Sequence, residues 1–428
     1  MSAMVNGRDE ICLPKFFPVR QSFVAPEVED IPDTIKMELS GKEIKGAIKP
    51  GDKVAVAVGS RGISNITLIT RSVINELKSW GAEPFIIPSM GSHGGGTGQG
   101  QKNVLAGLGI TEESMGVPII SEMEVEEIGR TKSDIPVFLD REALQADKIV
   151  VINRVKPHTS FKGEYESGLL KMLAIGLGRH KGATTVHEYP LANMPVLLPE
   201  FAQVYLKLNK VAFGVAILEN AYDRTAKIEA VPSGSFLTRD RELLLLAKKY
   251  MPKILPEKID VLVVSEIGKN ISGSGMDPNI TGRSASKAPQ KFNAPSIERI
   301  IVLGLTKETK GNATGIGMAD ITTEQVYKEM NLDHMYINVI TSKVLGSAKI
   351  PVIMKNERAA IEVALKTCYE ADLKNPRIVF IKNTLELEKI WVSEALKPEV
   401  EKSKTMTQIG ELFSLEFDKE DNLLNEFR

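Results

Sequence analysis

The sequence predicts an α/β protein made of two α/β domains with mainly parallel sheets that enclose a cleft. The chain has 428 residues, two to three times the length of a typical domain, which is enough for two hydrophobic cores. Short apolar runs alternate along it with segments of helical periodicity. The runs are apolar at consecutive positions, as expected for parallel strands that helices cover on both faces.

The predicted strands of the first domain are apolar runs bounded by glycine, proline or polar residues, and helical patterns separate them. The strands are predicted at 53–58, 84–88, 147–153 and 210–218, and the helices at about 64–80, up to about 107, and at 239–250. Because helices alternate with strands, the strands are expected to pair in parallel.

The proline-flanked segment 251–256 predicts the domain boundary, giving domains at 1–255 and 256–428. The second domain repeats the pattern, with strands predicted at 259–265, 299–304 and 377–382 and a helix at 356–369. Apolar and polar residues alternate from Glu411 onward, which predicts one more strand near the C-terminus.

The composition argues against nucleic-acid-binding, membrane and disulfide-rich proteins. Lys and Arg number 54 against 55 Asp and Glu, so no bulk charge favours nucleic acid or an anionic membrane. Two cysteines are too few for a disulfide framework or a cysteine metal cage, which fits a cytoplasmic protein. No apolar stretch is long enough to predict a membrane span. A small-molecule substrate is therefore expected.

Four of the five histidines fall between positions 93 and 187. His93 and His158, together with Arg61, follow predicted strands at their carboxyl ends, where open parallel sheets bind ligands. Histidine suits proton transfer near neutral pH and metal ligation, so this clustering predicts a site. A structural role for each single histidine remains the alternative.

Two further features lie within the same stretch. Six glycines between positions 91 and 100 indicate either a phosphate cradle or a flexible connection from strand to helix. Lys171 lies among leucines and an isoleucine, which predicts a partly buried lysine whose charged form is disfavoured by desolvation. The alternative is a helix lysine that extends its ammonium group to the solvent.

The order of these residues resembles the nickel-dependent lactate racemase family of 2-hydroxy acid racemases and epimerases. The resemblance is carried by Arg61, the Gly-Ser-His93-Gly-Gly and Val-Lys-Pro-His158 motifs, the segment from Gly163 through Lys171 to Gly178, and His187. It implies a nickel pincer nucleotide (pyridinium-3,5-bisthiocarboxylic acid mononucleotide nickel) attached to Lys171 and ligated by His187. It also implies that His93 and His158 are the acid/base pair, with Ser60, Ser160 and Phe161 near the cofactor.

The resemblance implies substrate contacts too, and here the sequence departs from the family. Arg61 is expected to bind the substrate carboxylate, while Lys269, Asn279 and Arg283 are the polar candidates on a loosely matching loop of the second domain. The segment between His158 and Lys171 is longer and more polar than in lactate enzymes, which favours a larger or more polar substrate. His180 competes with His187 for the metal, and the family spacing from Lys171 favours His187.

The expected function is thus a racemase or 2-epimerase of a 2-hydroxy acid, with hydride removed from Cα and returned to the other face of the planar keto acid. Expected partners are the substrate and the cofactor biosynthesis enzymes, but neither nucleic acid nor a membrane, and the oligomeric state is left open between monomer and homo-oligomer. The alternatives are a non-catalytic carrier of a phosphorylated nucleotide-like cofactor and a metal-dependent oxidoreductase or hydrolase.

Overall fold

The structure is a computed structural model that describes residues 12–60, 62–288, 290–425 and 427. Its strands are β1 (Phe16–Gln21), β2 (Lys53–Val58), β3 (Glu83–Pro88), β4 (Val125–Arg130), β5 (Pro136–Asp140), β6 (Lys148–Arg154), β7 (Val211–Glu219), β8 (Thr225–Pro232), β9 (Lys258–Val264), β10 (Ser296–Val302), β11 (Ile321–Thr323), β12 (Val352–Met354), β13 (Ile378–Ile381), β14 (Lys389–Ser393) and β15 (Met406–Gln408).

The helices are α1 (Ile31–Leu39), α2 (Lys42–Lys45), α3 (Ile66–Ser79), α4 (Gly98–Gly107), α5 (Glu112–Met115), α6 (Arg141–Gln145), α7 (Leu169–Lys171), α8 (Arg179–His187), α9 (Met194–Lys207), α10 (Phe236–Tyr250), α11 (Pro278–Thr281), α12 (Glu324–Glu329), α13 (Leu332–Ser342), α14 (Glu357–Thr367) and α15 (Lys397–Lys402). A π-helical segment, Met172–Gly176, continues directly from α7.

The fold is mixed α/β, and the chain divides into two compact units. The first unit is Val24–Met251. Its main sheet has the strand order β3-β2-β6-β7-β8, in which the first four strands are parallel and β8 is antiparallel. The strands β4 and β5 form a separate antiparallel pair.

The apolar run of β2 is continuous because both faces of its sheet are covered. Val54, Val56 and Val58 pack into one core with residues of α1 and α3. Ala55 and Ala57 face a second core, which includes residues of α7, α9 and α10. Burial on two faces leaves no solvent-facing position in the strand interior, so the sequence shows no polar alternation there.

The second unit joins the chain from Pro252 onward with the N-terminal segment up to Phe23. Its sheet has the order β12-β11-β10-β9-β13-β14-β1-β15. The strands from β12 to β13 are parallel, whereas β14, β1 and β15 are antiparallel to their neighbours. The mainly parallel α/β prediction is therefore confirmed, with an antiparallel extension at one side of this sheet.

All seven strands predicted from apolar runs are present, with their ends within three residues of the predicted positions. The N-terminal segment differs from the predicted division at 1–255 and 256–428, because β1 pairs with β14 in the second unit, Phe16 opposite Ser393. Phe16 and Val19 are buried there, and this partner lies too far along the chain for local periodicity to reveal it.

The strand expected from Glu411 onward does not form in the described residues. Phe413 makes an isolated bridge to Phe16, and Phe417 makes another to Leu423, while the strand lies earlier, at β15. The alternating residues instead pack side chains such as Phe413 and Leu415 against the second unit's core. Among the described residues, no helix is both long enough and apolar enough to cross a membrane.

Candidate active site

Three parallel strands of the first unit end at one edge of the sheet. Ser60 follows β2, His93 follows β3, and His158 follows β6. Because β2 lies between β3 and β6 in parallel register, the three exits leave on the same side. Arg61, the predicted carboxylate ligand, lies outside the described residues.

His93 is exposed and is held by a neighbouring strand exit. The hydroxyl of Ser60 shares a hydrogen bond with Nδ1 of His93. A hydroxyl group both donates and accepts, so this contact is compatible with either protonation state of that nitrogen. The main-chain N–H of His93 donates to the carbonyl of Met90 over 3.2 Å, which closes the turn after β3.

A buried network supports the His93 loop from below. The Gln101 amide donates to the carbonyl of Gly91 at 2.8 Å and of His93 at 3.4 Å, and its Oε1 accepts from Arg179 at 2.8 Å. Arg179 is 1 % exposed, forms an ion pair with Asp140, and donates to the carbonyl of Pro88 at the end of β3. A buried guanidinium requires such partners because its desolvation is costly.

The glycine-rich loop is closely packed. A Cβ atom on Gly91 would lie 2.9 Å from Cβ of Ala183, and one on Gly96 would lie 3.0 Å from the ring of His180. Gly94, Gly95 and Gly96 all have positive φ, near 65° to 69°. Close approach and left-handed backbone therefore account for these glycines, and for the position of His180, without invoking flexibility.

His158 is held in a short loop that closes on itself. Its Nδ1 accepts from the main-chain N–H of Ser160 at 3.0 Å, and its ring stacks on Phe161 with centroids 4.1 Å apart. A main-chain N–H only donates, so the proton of the neutral ring lies on Nε2. Lys156 and Ser167 pair across the base of the loop.

Lys171 ends the helical turn α7, which begins on a buried carboxylate. Asp240 of α10 accepts from the N–H groups of Leu169 at 2.9 Å and Leu170 at 3.2 Å. Burial raises the pKa of Asp240 to about 6, and the two N–H groups oppose that rise. The π-helical segment follows immediately, a geometry that recurs at functional sites.

The Lys171 segment touches all three strand exits. A Cβ atom on Gly59, after β2, would lie 3.3 Å from Cε of Met172, and one on Gly176 would lie 2.8 Å from the carbonyl oxygen of Ser89, after β3. The Asn153 amide, in β6, donates to the carbonyl of Gly168 at 2.6 Å. The convergence that the sequence predicted for these loops thus has the lysine-bearing turn at its base.

His187 is the last residue of α8 and is exposed. It lies one helical turn beyond Ala183, on the face that meets the glycine-rich loop. Within the described ranges, no group of three or more His, Cys, Asp or Glu side chains is arranged to hold a metal ion.

The family profile described as "Lactate racemase N-terminal domain" matches residues 14–195, which include every histidine and lysine of this site. Residues 14–195 are therefore similar to a lactate racemase N-terminal domain. The curated proteins contain no match. Among solved structures, the lactate racemase apoprotein from Thermoanaerobacterium thermosaccharolyticum aligns with a TM-score of 0.49 and 12 % identity, over 86 % of this chain and 94 % of that chain.

The three residues predicted beside the cofactor in this lactate racemase-like domain each have a described contact with a histidine. Ser60 bonds to the ring of His93, while Ser160 and Phe161 contact the ring of His158. Through these contacts they orient the two rings.

The predicted substrate residues outside the lactate racemase N-terminal domain lie in the second unit. Lys269 bonds through Nζ to Asn338, and the Asn279 amide donates to Asp277 at 2.8 Å. Arg283 forms an ion pair with Asp320 and donates to the carbonyl of Glu298 at 2.7 Å, which ties its loop to β10. Among these contacts, those of Arg283 have a clear structural role.

Three supporting residues were not singled out from the sequence: Gln101, Arg179 and Asp240. Each is buried and polar, a combination that calls for specific partners. The one local signal is the position of Arg179 beside Gly178 and His180, and Arg179 has a positive φ of 52°. Their partners are distant in sequence, so spacing alone does not indicate them.

Proposed function

We propose that the protein is a racemase or 2-epimerase of a 2-hydroxy acid that works with a lysine-tethered nickel pincer nucleotide. The observation that supports this most is the contact of the Lys171 segment with the exits of β2, β3 and β6. Two histidines on separate exits then lie around one lysine-bearing turn. This arrangement suits a reaction that needs one proton-transfer group on each side of a substrate.

The residues present fit such a cofactor. Lys171 is half-buried beside the core residues Leu170 and Leu173, so a cofactor attached to it would be tethered to a packed part of the fold. His187 would supply the one protein ligand to nickel, which agrees with the lack of a larger ligand cluster in the described residues. When bound, the cofactor would supply the acceptor for the hydride from Cα.

His93 and His158 would exchange the hydroxyl proton of opposite enantiomers. At His93 the Ser60 hydroxyl adjusts to either ring state. At His158 a doubly protonated ring has no acceptor nitrogen, so the Ser160 N–H has to leave Nδ1 when that ring takes up a proton. Proton uptake therefore requires a hydrogen bond to break at His158 but not at His93.

Substrate recognition remains a proposal for each residue named from the sequence. Arg61 would bind the carboxylate in bidentate fashion. Lys269 and Asn279 would contact polar groups of the substrate, and Arg283 would do so only in addition to its pair with Asp320. The length and polarity of the segment between His158 and Lys171 support a substrate more polar than lactate.

The test is co-expression with cofactor biosynthesis enzymes, followed by nickel analysis and the mass of the Lys171 peptide. We expect an adduct on Lys171, and inversion of a hydroxy acid in deuterium oxide with retention of its Cα hydrogen. His93→Ala and His158→Ala should keep the adduct and lose inversion, whereas His334→Ala, outside the cluster, should keep both. His187→Ala should lose nickel and His180→Ala should retain it.

Two results would contradict the proposal. One is an unmodified Lys171 without nickel under those conditions. The other is wash-in of solvent deuterium at Cα, which would indicate proton removal from carbon instead of hydride transfer. A protein that carries the adduct but inverts no member of a hydroxy-acid panel, with or without the two histidines, would be a carrier.

A further inference from the structure

The loop between His158 and Ser167 contains a carboxylate that the proposed reaction does not use. The side chain of Glu166 is fully buried, with 0 % exposure. Its Oε2 accepts from the main-chain N–H of His158 at 2.7 Å, and its Oε1 accepts from the N–H of Gly163 at 3.4 Å. The carboxylate therefore lies at the centre of the loop that carries His158.

Two lysines compensate the buried charge. Lys162, from the same loop, approaches Oε2 at 3.2 Å, and Lys248, from α10, approaches Oε1 at 2.7 Å. A buried carboxylate without such partners would carry a large desolvation penalty. Its placement here is thus maintained by charges from two separate parts of the chain.

The same network holds the main chain of His158 on both sides of its Cα atom. Glu166 accepts from the N–H of His158, and Nζ of Lys162 donates to the carbonyl of His158 over 2.5 Å. The ring itself is in contact with Phe161 and the Ser160 N–H. The backbone is thereby fixed by charge-assisted hydrogen bonds while the ring is held by weaker contacts.

The helix α10 connects this network to the lysine-bearing turn. Lys248 pairs with Glu166, and eight residues earlier Asp240 accepts from the first N–H groups of α7. One helix thus supports both the loop of His158 and the turn of Lys171. This sharing would keep the distance between the histidine and the lysine constant.

We infer that Glu166 is a positioning residue for His158, and that together with Lys162 and Lys248 it fixes the backbone from which the ring exchanges its proton. The inference rests on the proposed acid/base role of His158. Glu166 touches neither reacting atoms nor cofactor in this scheme. Its loss should therefore lower turnover without abolishing attachment of the cofactor to Lys171.

The experiment compares Glu166→Gln with Glu164→Gln, an exposed carboxylate on the same loop. The ring nitrogens of His158 are followed by NMR in the cofactor-free protein, and their signals are assigned as those that disappear in His158→Gln. We expect the His158 ring to be in one tautomer in the parent protein and in Glu164→Gln. In Glu166→Gln we expect a mixture of tautomers. In the loaded protein we expect a 10- to 100-fold lower kcat with KM changed less than threefold, as the loss of one to two charge-assisted bonds implies.

Lys162→Met is the second variant, and it removes the other half of the clamp. Its effect on kcat should be similar to that of Glu166→Gln, and the double variant should be no slower than the slower single variant, because both act through one network. This variant also keeps the test decisive where Glu166→Gln does not fold.

Unchanged His158 resonances and unchanged kcat in both variants would overturn the inference. That outcome is distinct from failure of the proposed function, in which His158→Ala itself would leave inversion intact. A fall in kcat in Glu164→Gln as large as in Glu166→Gln would also count against a specific role of the buried carboxylate.

Discussion

The hydroxyl of Ser60, at the end of β2, is hydrogen-bonded to Nδ1 of His93, the residue that follows β3 by five positions. Ser60→Ala removes that contact and leaves the backbone of both exits in place. Since a neutral hydrogen bond contributes about 0.5–1.5 kcal/mol, we expect roughly a threefold to tenfold lower kcat and a changed pH–rate profile. Steady-state kinetics of the cofactor-loaded protein measure both effects.

The control for Ser60→Ala is Ser92→Ala, which changes an exposed serine next to His93 and should leave kcat and the pH–rate profile as in the parent protein. Parent kinetics in Ser60→Ala as well would show that Ser60 does not orient the ring of His93.

Gly168 is a second test, because the structure leaves no room for a side chain there. A Cβ atom would lie 2.1 Å from Oδ1 of Asp240, so Gly168→Ala has to displace the carboxylate that accepts from α7. We expect a loss of about 2–3 kcal/mol in stability, in the range of lost buried hydrogen bonds, and a lower yield of the Lys171 adduct. Urea unfolding and peptide mass measure the two effects.

The matched control for that substitution is Gly107→Ala. No atom lies within 4 Å of a Cβ built on Gly107, which ends α4. Alanine there should be neutral or slightly stabilising, by up to about 1 kcal/mol. Equal stability of the Gly107 and Gly168 variants would mean that the contact of the Asp240 carboxylate with α7 does not contribute to stability.

Asp240 should make stability depend on pH. Its pKa is raised from 3.8 to about 6 by burial, so the folded state holds the proton more tightly than the unfolded state does. Stability therefore falls as the pH rises from about 4 through 6, by on the order of 3 kcal/mol at 1.36 kcal/mol per pKa unit. Asp240→Asn should remove this contribution.

The measurement is the thermal midpoint at intervals between pH 4.5 and 7.5. The fall of that midpoint with rising pH should be smaller in Asp240→Asn than in the parent protein. Glu242→Gln, on the exposed side of α10, should retain the parent slope. An unchanged slope in Asp240→Asn would show that other groups produce the dependence.

Arg179 and Asp140 form a buried pair, each 1 % exposed. Arg179→Met leaves the Asp140 carboxylate without its guanidinium and the Gln101 amide without its donor, so we expect a loss of about 3–5 kcal/mol. Asp140→Asn combined with Arg179→Met should be less damaging than the sum of the single changes. Urea unfolding measures this, and the exposed Arg130→Met should cost less than about 1 kcal/mol.

The sequence predicted those parts of the fold that leave a local pattern. The strands β2, β3 and β6 are continuous apolar runs, and their order predicted where His93 and His158 emerge. The strand β1 was missed because its antiparallel pairing with β14 depends on a partner far along the chain. The turn at Met172–Gly176 was missed because its apolar residues also fit an ordinary helix.

In the candidate site, too, the sequence predicted some of the residues and missed others. Its histidines and Lys171 are visible as residue types in a short stretch of sequence. Their supports are not, because Gln101 meets Arg179 across 78 positions and Asp240 meets Leu169 across 71. Such pairs follow from how the layers pack, which composition and spacing do not encode locally.

The pairing of β1 also constrains the order in which the protein can form during synthesis. The ribosome makes β1 before the first unit, yet its neighbours β14 and β15, which end at Ser393 and Gln408, are made after that unit. The first unit, Val24–Met251, is continuous and can fold while the rest is still being translated. β1 must therefore wait without its sheet neighbours until the whole first unit and the segment up to β15 have been made.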